Sequence, residues 1–402
     1  MISRKKAAEL LQRAARQREA GQPADAAATY RRLLRDNPAS VDALYLLGTL
    51  LAEAGDLDSA EGYLRQAHRL HPTSDLVMVN LGTLSRLKGD LQAGIDWYER
   101  ALAVAADNPA LAANLGSAYL NAGRDADAEP HLRRYLAQQP GHVAALCLLG
   151  DALRGQKRLD EAAEQYRKAL AIAPEAAEAR HALAACTGEA PEQAPASYAR
   201  KVFDTYAPHY DAHYGAVLAS NGPQRLREAV ERRFAGRHDL RALDLGCGTG
   251  LAAAALRPLC ARLVGVDVSP AMLAVAQRKA LYDDLVERDV LAHLQQSAET
   301  FDLIVAQDVL PYFGALVEPL QAARRSAAPG AVLVLTIEST GDTTDAADAD
   351  WRLGAGVRYA HSQAYLRRAA TEAGWTVAAL EGFEFRREQD GWTPGWLVEL
   401  EA

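Results

Sequence analysis

Read as a string of apolar and polar positions, the chain repeats itself with a period of 34 residues over its first 176. Five units, 7–40, 41–74, 75–108, 109–142 and 143–176, align position by position. The eighth position is small throughout (Ala14, Gly48, Gly82, Gly116, Gly150), and so is the twentieth (Ala26, Ala60, Gly94, Ala128, Ala162). The twenty-fourth is bulky (Tyr30, Leu64, Tyr98, Leu132, Tyr166). Gly21, Gly55, Gly89 and Gly123 hold the fifteenth position, where Lys157 breaks the series, and Pro38, Pro72, Pro140 and Pro174 hold the thirty-second, with Ala106 in the third unit. This pattern predicts two antiparallel helices per unit. Small residues at positions eight and twenty let the helices approach closely. A glycine ends the first helix by taking positive φ, and a proline cannot continue the second. AEARHALAAC at 177–186 starts a further first helix without its partner, as a terminal cap does.

Beyond 186 the pattern changes. TGEAPEQAPAS at 187–197 is punctuated by proline and glycine and is predicted to be a linker. Strand-like runs at 241–245, 262–267, 301–306 and 331–337 then alternate with helix-like stretches. That alternation predicts a parallel sheet with helices on both faces, its ligand beyond the carboxyl ends of the strands. The first strand runs into ALDLGCGTG at 242–250, and Asp267 ends the second, 21 residues after Gly246. Dinucleotide-binding loops place a third small residue at the sixth position of GxGxxG. Here that position is Leu251, and the third glycine arrives one residue early, at Gly250.

The 34-residue unit resembles the tetratricopeptide repeat. The resemblance implies a concave groove that takes peptides or partner proteins, faced by the sixth position of each unit. Asn80 and Asn114 stand there as two rungs of an asparagine ladder, while Gln12, Leu46 and Leu148 do not extend it. The GxGxG loop resembles motif I of the class I S-adenosylmethionine-dependent methyltransferases, and the whole chain resembles a bacterial group that joins such repeats to such a domain. The implied fold class is α + α/β. An all-α tetratricopeptide-repeat solenoid over 1–186 precedes a Rossmann-like, mostly parallel seven-stranded sheet over 198–402, closed by an antiparallel pair around 376–386 and 394–400. The resemblance also assigns roles around S-adenosylmethionine. Gly246, Cys247, Gly248 and Gly250 lay bare backbone against the methionine chain and ribose, with Asp244 near the ammonium. Asp267 takes the ribose hydroxyls, Val268 and Met272 pack on the adenine, and Asp289 with Val290 meets its amino group. Gln307 edges the methionine and acceptor ends. YARKVFDTYAPHYDAHY at 198–214 resembles the helical lid of small-substrate methyltransferases, in which Tyr206 and Tyr210 would close over the cofactor.

Charge narrows the partners. Residues 1–186 carry 23 basic and 23 acidic side chains, so the whole net charge of −8 falls on 187–402. A phosphate backbone would be repelled there, which argues against nucleic acid. The four cysteines form no CxxC pair, the start lacks an apolar core segment, and AVLVLTI at 331–337 is too short to span a bilayer. The expectation is a cytoplasmic protein with no membrane anchor, and no metal is expected.

Methyl transfer is an in-line displacement at a sulfonium carbon, so a catalytic base is optional. The acceptor-side candidates are Asp308, Tyr312, Arg358 and His361, with Tyr206, His209, Tyr210 and Tyr359 beside them. His361 would take a proton, and Arg358 would hold an acceptor carboxylate. The polar stretch 340–356 is predicted to be a mobile lid. The leading expectation is a methyltransferase whose repeats recruit a protein or peptide. The alternatives are a small-molecule methyltransferase whose repeats serve assembly, including self-association, and a non-enzymatic adaptor.

Overall fold

A computed structural model describes residues 4–207, 210–211, 220–341, 349–388 and 391–402. The chain divides into two compact units, Met1–Arg158 and Leu159–Ala402.

The first unit is a run of antiparallel helix pairs: α1 (Arg4–Glu19) with α2 (Pro23–Asp36), α3 (Val41–Glu53) with α4 (Leu57–Leu70), α5 (Asp75–Leu87) with α6 (Leu91–Val104), and α7 (Pro109–Asn121) with α8 (Asp125–Gln138), followed by α9 (Val143–Gly155). The small eighth position has a direct cause. A Cβ on Gly48 would lie 2.7 Å from Leu64 Cγ, on Gly82 2.8 Å from Tyr98 Cε1, and on Gly116 2.7 Å from Leu132 Cγ. The bulky twenty-fourth residue of each of these units fills the space its own eighth residue leaves. Gly21, Gly55, Gly89 and Gly123 take φ between +69° and +84°, and Lys157 adopts the same left-handed backbone at +62° without being glycine.

The second unit opens with α10 (Leu159–Ile172) and α11 (Ala177–Thr187), so the last two helices of the repeat region belong to this compact unit. The stretch expected to be a linker is held within this unit. Glu192 O accepts from Gly314 N–H (2.8 Å) and Ala315 N–H (2.9 Å), and Ala194 N–H donates to Tyr312 O (2.9 Å). Gln193 bridges Phe313 in antiparallel fashion. Ala184, Ala185 and Ala194 are buried with Leu353, Val357 and Tyr359. Next comes α12 (Ala196–Tyr206), which with Ala207, Tyr210 and Asp211 is the described part of the lid expected at 198–214. His209 and 212–214 lie outside the described residues.

The remaining helices are α13 (Gly222–Arg233), the short α14 (Ala253–Leu256), α15 (Pro270–Lys279), α16 (Val290–Gln296), α17 (Val317–Arg325) and α18 (Gln363–Glu372). The strands are β1 (Leu240–Leu245), β2 (Cys260–Asp267), β3 (Asp284–Glu287), β4 (Phe301–Gln307), β5 (Ala327–Glu338), β6 (Trp351–Leu353), β7 (Tyr359–His361), β8 (Thr376–Glu388) and β9 (Gly391–Glu401). Seven of them form one sheet in the order β3-β2-β1-β4-β5-β9-β8, and β6 and β7 form a separate ribbon. Strands β1 to β5 run parallel, and β9 is antiparallel to both of its neighbours. Alternate residues feed two cores: Leu243 and Leu245 enter one, Leu240 and Ala242 the other. A parallel strand covered on both faces must be apolar throughout, and β1 is buried at every position but Arg241. The carboxyl ends of β1, β2 and β4 deliver Asp244, Asp267 and Gln307 to one edge. The polar stretch expected as a lid over 340–356 is in part the β6 strand, and 342–348 lie outside the described residues.

Candidate active site

The glycine loop after β1 has φ of +62° at Gly246, +52° at Gly248 and +85° at Gly250, a region that L side chains disfavour. What surrounds each glycine differs. A Cβ on Gly246 would lie 2.3 Å from Val309 Cγ2, and one on Gly250 3.1 Å from Tyr282 Cε2, whereas one on Gly248 would meet nothing within 4 Å. At two of the three glycines the protein's own side chains already fill the space a Cβ would need. Only at Gly248 would a Cβ enter open space, although Gly246 lines the cavity as well. Cys247 anchors the loop, its N–H donating to Val266 O at 3.0 Å. Its thiol is pushed up by burial and stays protonated.

Two carboxylates flank the loop. Asp267, 6% exposed, accepts from Gly248 N–H (Oδ2, 2.8 Å) and Ser269 N–H (Oδ1, 2.8 Å). Burial raises its carboxyl above the usual range, and these backbone donors oppose that. Asp244, 1% exposed, accepts from the Tyr282 hydroxyl at 2.6 Å. Burial pushes it up to about 7 even so.

A cavity opens beside the loop. It is lined by Asp267, Val268, Met272, Asp289 and Val290, by Phe203, Tyr210, Asp308, Tyr312 and Phe313, and by Gly246, Gly248 and Gln307. Gln193, Ala194, Ala196 and Ala199 complete it. Asp289 is fixed as the N-cap of α16, accepting from Ala292 N–H at 3.0 Å. Ser269 caps α15 through Met272 N–H and donates its hydroxyl to Asp204 of α12 at 2.6 Å, which ties α12 to the loop carrying Val268. A narrower recess shares Tyr210, Gly246, Gly248 and Gln307 with the cavity and is lined further by Asp244, Cys247 and Thr249.

Asp308 is the carboxylate that lines the cavity beside the aromatic rings. It takes φ of +57°, rare for a residue with a side chain and a form of strain that gathers at functional sites. Its N–H donates to Thr336 Oγ1 at 3.1 Å, and its Oδ2 lies 3.7 Å from Arg386 Nη1. Oδ1 accepts no hydrogen bond from a described residue. Arg386, 3% exposed, also donates to Glu338, as does Arg358 Nε at 2.7 Å. Burial raises the Asp308 carboxyl, and the Arg386 and Arg358 guanidiniums pull it back down. The Tyr312 ring packs on Phe203 with centroids 5.5 Å apart, and burial raises its hydroxyl so that it stays protonated.

Of the sequence-predicted residues, Asp244, Gly246, Cys247, Gly248, Asp267, Val268, Met272, Asp289, Val290, Gln307, Asp308, Tyr312 and Tyr210 line the cavity or its recess. Gly250 lines neither and packs on Tyr282. Tyr206, the last residue of α12, does not line it either, while Phe203 does, and the Phe203 ring lies 6.3 Å from that of Tyr210. His361 is fully buried away from the cavity. Its Nε2–H donates to Gly314 O at 3.0 Å, its ring stacks on Tyr365, and burial lowers it to about 4, so it holds the strap beside Gly314 rather than a proton in transit. Arg358 is engaged by Glu338 and does not line the cavity. Tyr359 is buried in the cluster of Ala184 and Val357. The sequence reading missed Phe203, Tyr282, Thr336, Glu338, Arg386 and the Gln193–Ala194 strap. Phe203 carried a signal, since it shares one helical face with Tyr206 and Tyr210.

Comparison with known proteins agrees with both units. A methyltransferase-domain family model matches residues 243–335, and a tetratricopeptide-repeat model matches 11–75 and 113–177. The malonyl-[acyl-carrier protein] O-methyltransferase of Enterobacter lignolyticus is 31% identical over 134 residues, covering 33% of this chain and 51% of that protein. Human methyltransferase-like protein 27 is 41% identical over 85 residues, covering 21% and 34%. The chain thus spans about half or less of the length of these relatives. Among solved structures, an S-adenosylmethionine dependent methyltransferase from Mesorhizobium loti shares 20% identity, with a TM-score of 0.35, over 44% of this chain and 96% of its own. With the seven-stranded order, the glycine loop and the helix pairs in view, the chain joins tetratricopeptide repeats to a class I methyltransferase domain.

Proposed function

We propose that this chain moves the methyl group of S-adenosylmethionine to a hydroxyl or amine of a small acceptor group, and that its repeats hold a protein or peptide partner. One observation carries the first part: one cavity whose wall joins Asp267, Val268, Met272, Asp289 and Val290 to a bare Gly248 and to the rings of Phe203, Tyr210, Tyr312 and Phe313 around Asp308. The residues fit the cofactor. Asp267 would hold the ribose hydroxyls, Val268, Met272 and Val290 would sandwich the adenine, and Asp244 would face the ammonium from its recess. The bound cofactor supplies an electrophilic methyl on a sulfonium and therefore the driving force.

The protein's own part is placement and proton handling. Phe203, Tyr210, Tyr312 and Phe313 exclude water and orient a flat or apolar acceptor. The Asp308 carboxylate, on the cavity wall, accepts the hydrogen of the acceptor's hydroxyl or amine and takes its proton as the bond to the methyl forms and the methyl–sulfur bond breaks. Its protonated form, which burial favours, cannot do this. Turnover therefore falls as pH drops through a carboxyl value raised above the ordinary range. General-base catalysis contributes about 10²–10⁴-fold, so Asp308→Asn should cut turnover by about that factor while S-adenosylhomocysteine affinity holds. An unchanged rate would remove Asp308 from the reaction.

A second reading has its own support. One relative is named for a malonyl group borne by a carrier protein, and a small group carried on a partner would use both units of this chain. Methyl-labelled cofactor, cell metabolite and protein fractions, and the Asn80→Ala/Asn114→Ala groove variant separate the two. Label in the metabolite fraction that is indifferent to the groove variant supports a free acceptor. Label in the protein fraction that is lost with the variant supports the carried one.

A further inference from the structure

Tyr282, in the turn before β3, is wedged between the glycine loop and β2. A Cβ on Gly250 would come within 3.1 Å of its Cε2, and one on Gly265 within 2.9 Å of its Cε1. Both neighbours are glycines, so the ring has a fitted slot, and the slot aims its hydroxyl at Asp244 Oδ2, 2.6 Å away. Asp244 is 1% exposed and lines the recess at the foot of Gly246 and Gly248. A carboxylate so buried sheds its charge unless a donor stabilises it.

We propose that Tyr282 is a positioning residue of the cofactor site: its hydroxyl holds the Asp244 carboxylate in place and ionised. The proposal rests on the reading of this site as the S-adenosylmethionine site, whose ammonium Asp244 would receive. It also gives the third glycine of the loop a different task from the one the sequence suggested. Gly250 is small for Tyr282, and Tyr282 serves Asp244. Two other titratable groups face Asp244. Asp267 at the end of β2 opposes its ionisation, and the Cys247 thiol stays protonated in its buried place. Tyr282 is the neighbour whose hydrogen bond favours the charged form, against a burial that raises Asp244 to about 7.

The test uses the full chain, as wild type, Tyr282→Phe and Asp244→Asn. Calorimetric titration with S-adenosylhomocysteine is run between about pH 5.5 and 8, together with urea unfolding of the ligand-free proteins. The phenylalanine keeps the ring in its slot and removes the hydroxyl, with its bond to Asp244 and its contact with the Cys247 thiol. The acid limb of affinity should move up by about one pH unit, and affinity should fall about fivefold at pH 7 and about tenfold at the acid end of the range. Asp244→Asn should lose the limb altogether. In the ligand-free protein, a carboxyl raised above its unfolded value makes stability fall as pH rises between the two values. Tyr282→Phe should extend that fall upward, so its deficit against wild type grows from about pH 6 to 8. A deficit and an affinity loss that are the same at every pH would make Tyr282 mere packing and overturn the proposal. Wild type that binds no S-adenosylhomocysteine at any pH would overturn the methyl-donor reading instead. The unfolding series would then still decide whether Tyr282 keeps Asp244 charged.

Discussion

Replacing Gly246 and Gly248 one at a time by alanine should separate packing from binding within a single loop. At Gly246 a Cβ would meet Val309 Cγ2 at 2.3 Å, on a backbone of φ +62°. The left-handed backbone costs an L residue about 1–2 kcal/mol, and a methyl forced into filled space adds about 1–3 kcal/mol. Gly246→Ala is therefore expected to lose about 2–5 kcal/mol of stability. At Gly248 φ is +52° and nothing lies within 4 Å, so only the backbone cost of about 1–2 kcal/mol applies. Its methyl instead enters the cavity, and S-adenosylhomocysteine affinity should fall roughly tenfold or more, a loss of about 1.4 kcal/mol at least. Urea unfolding followed by tryptophan fluorescence suits the question, because Trp351, Trp375, Trp392 and Trp396 lie in the second unit and only Trp97 in the first. Adding Val309→Ala to Gly246→Ala should recover the packing share and leave the backbone share. Equal stability losses at the two glycines, or no recovery with Val309→Ala, would refute the assignment.

Two further outcomes follow from groups already described. His361, lowered to about 4 from an ordinary value near 6.5, stays neutral in the fold while the unfolded chain binds a proton. Stability should therefore drop on acidification between those values, by about 3 kcal/mol in all. His361→Gln should flatten that dependence in urea titrations at mildly acid and neutral pH and leave methyl transfer intact; a turnover collapse with unchanged stability would restore the ring to the chemistry. Lys157→Gly should stabilise the first unit by about 0.5–1 kcal/mol, the relief of left-handed strain less the extra freedom of glycine in the unfolded chain. Urea unfolding followed by circular dichroism would show it, and a net loss would mean the lysine side chain is worth more than the strain it carries.

Much of this architecture was legible because its causes are local. The 34-residue period survived as helix pairs because the glycine at eight and the bulky residue at twenty-four belong to one unit. Strands β1, β2, β4 and β5 announced themselves as apolar runs, since both their faces are covered. The edge strand β3 is only DLVE, half-exposed and without an apolar run, and gave no such signal. The ribbon of β6 and β7 is three residues a side, too short for any periodicity. In the site, the residues delivered by strand ends were readable, because motif spacing follows the chain. Those defined by distant neighbours were not. Arg386 is turned inward by a bulge between Glu384 and Arg386 that breaks the alternation of β8. Tyr282 reaches Asp244 across 38 residues of sequence. His361 was misread because a histidine beside a helix start looks the same in sequence whether its ring is wet or sealed.

The strap from Glu192 to Ala194 bears on how portable the catalytic region is. Two ready-made modules joined by a spare tether would come apart cleanly at the tether. Here the suture has healed into one of them: its backbone lies hydrogen-bonded along Tyr312 and Gly314, and two of its residues form cavity wall. A graft cut at the sequence boundary before Tyr198 would travel with a hole in its side. The transplantable piece begins at Leu159 and takes the last two helices of the repeat region with it as part of its own masonry.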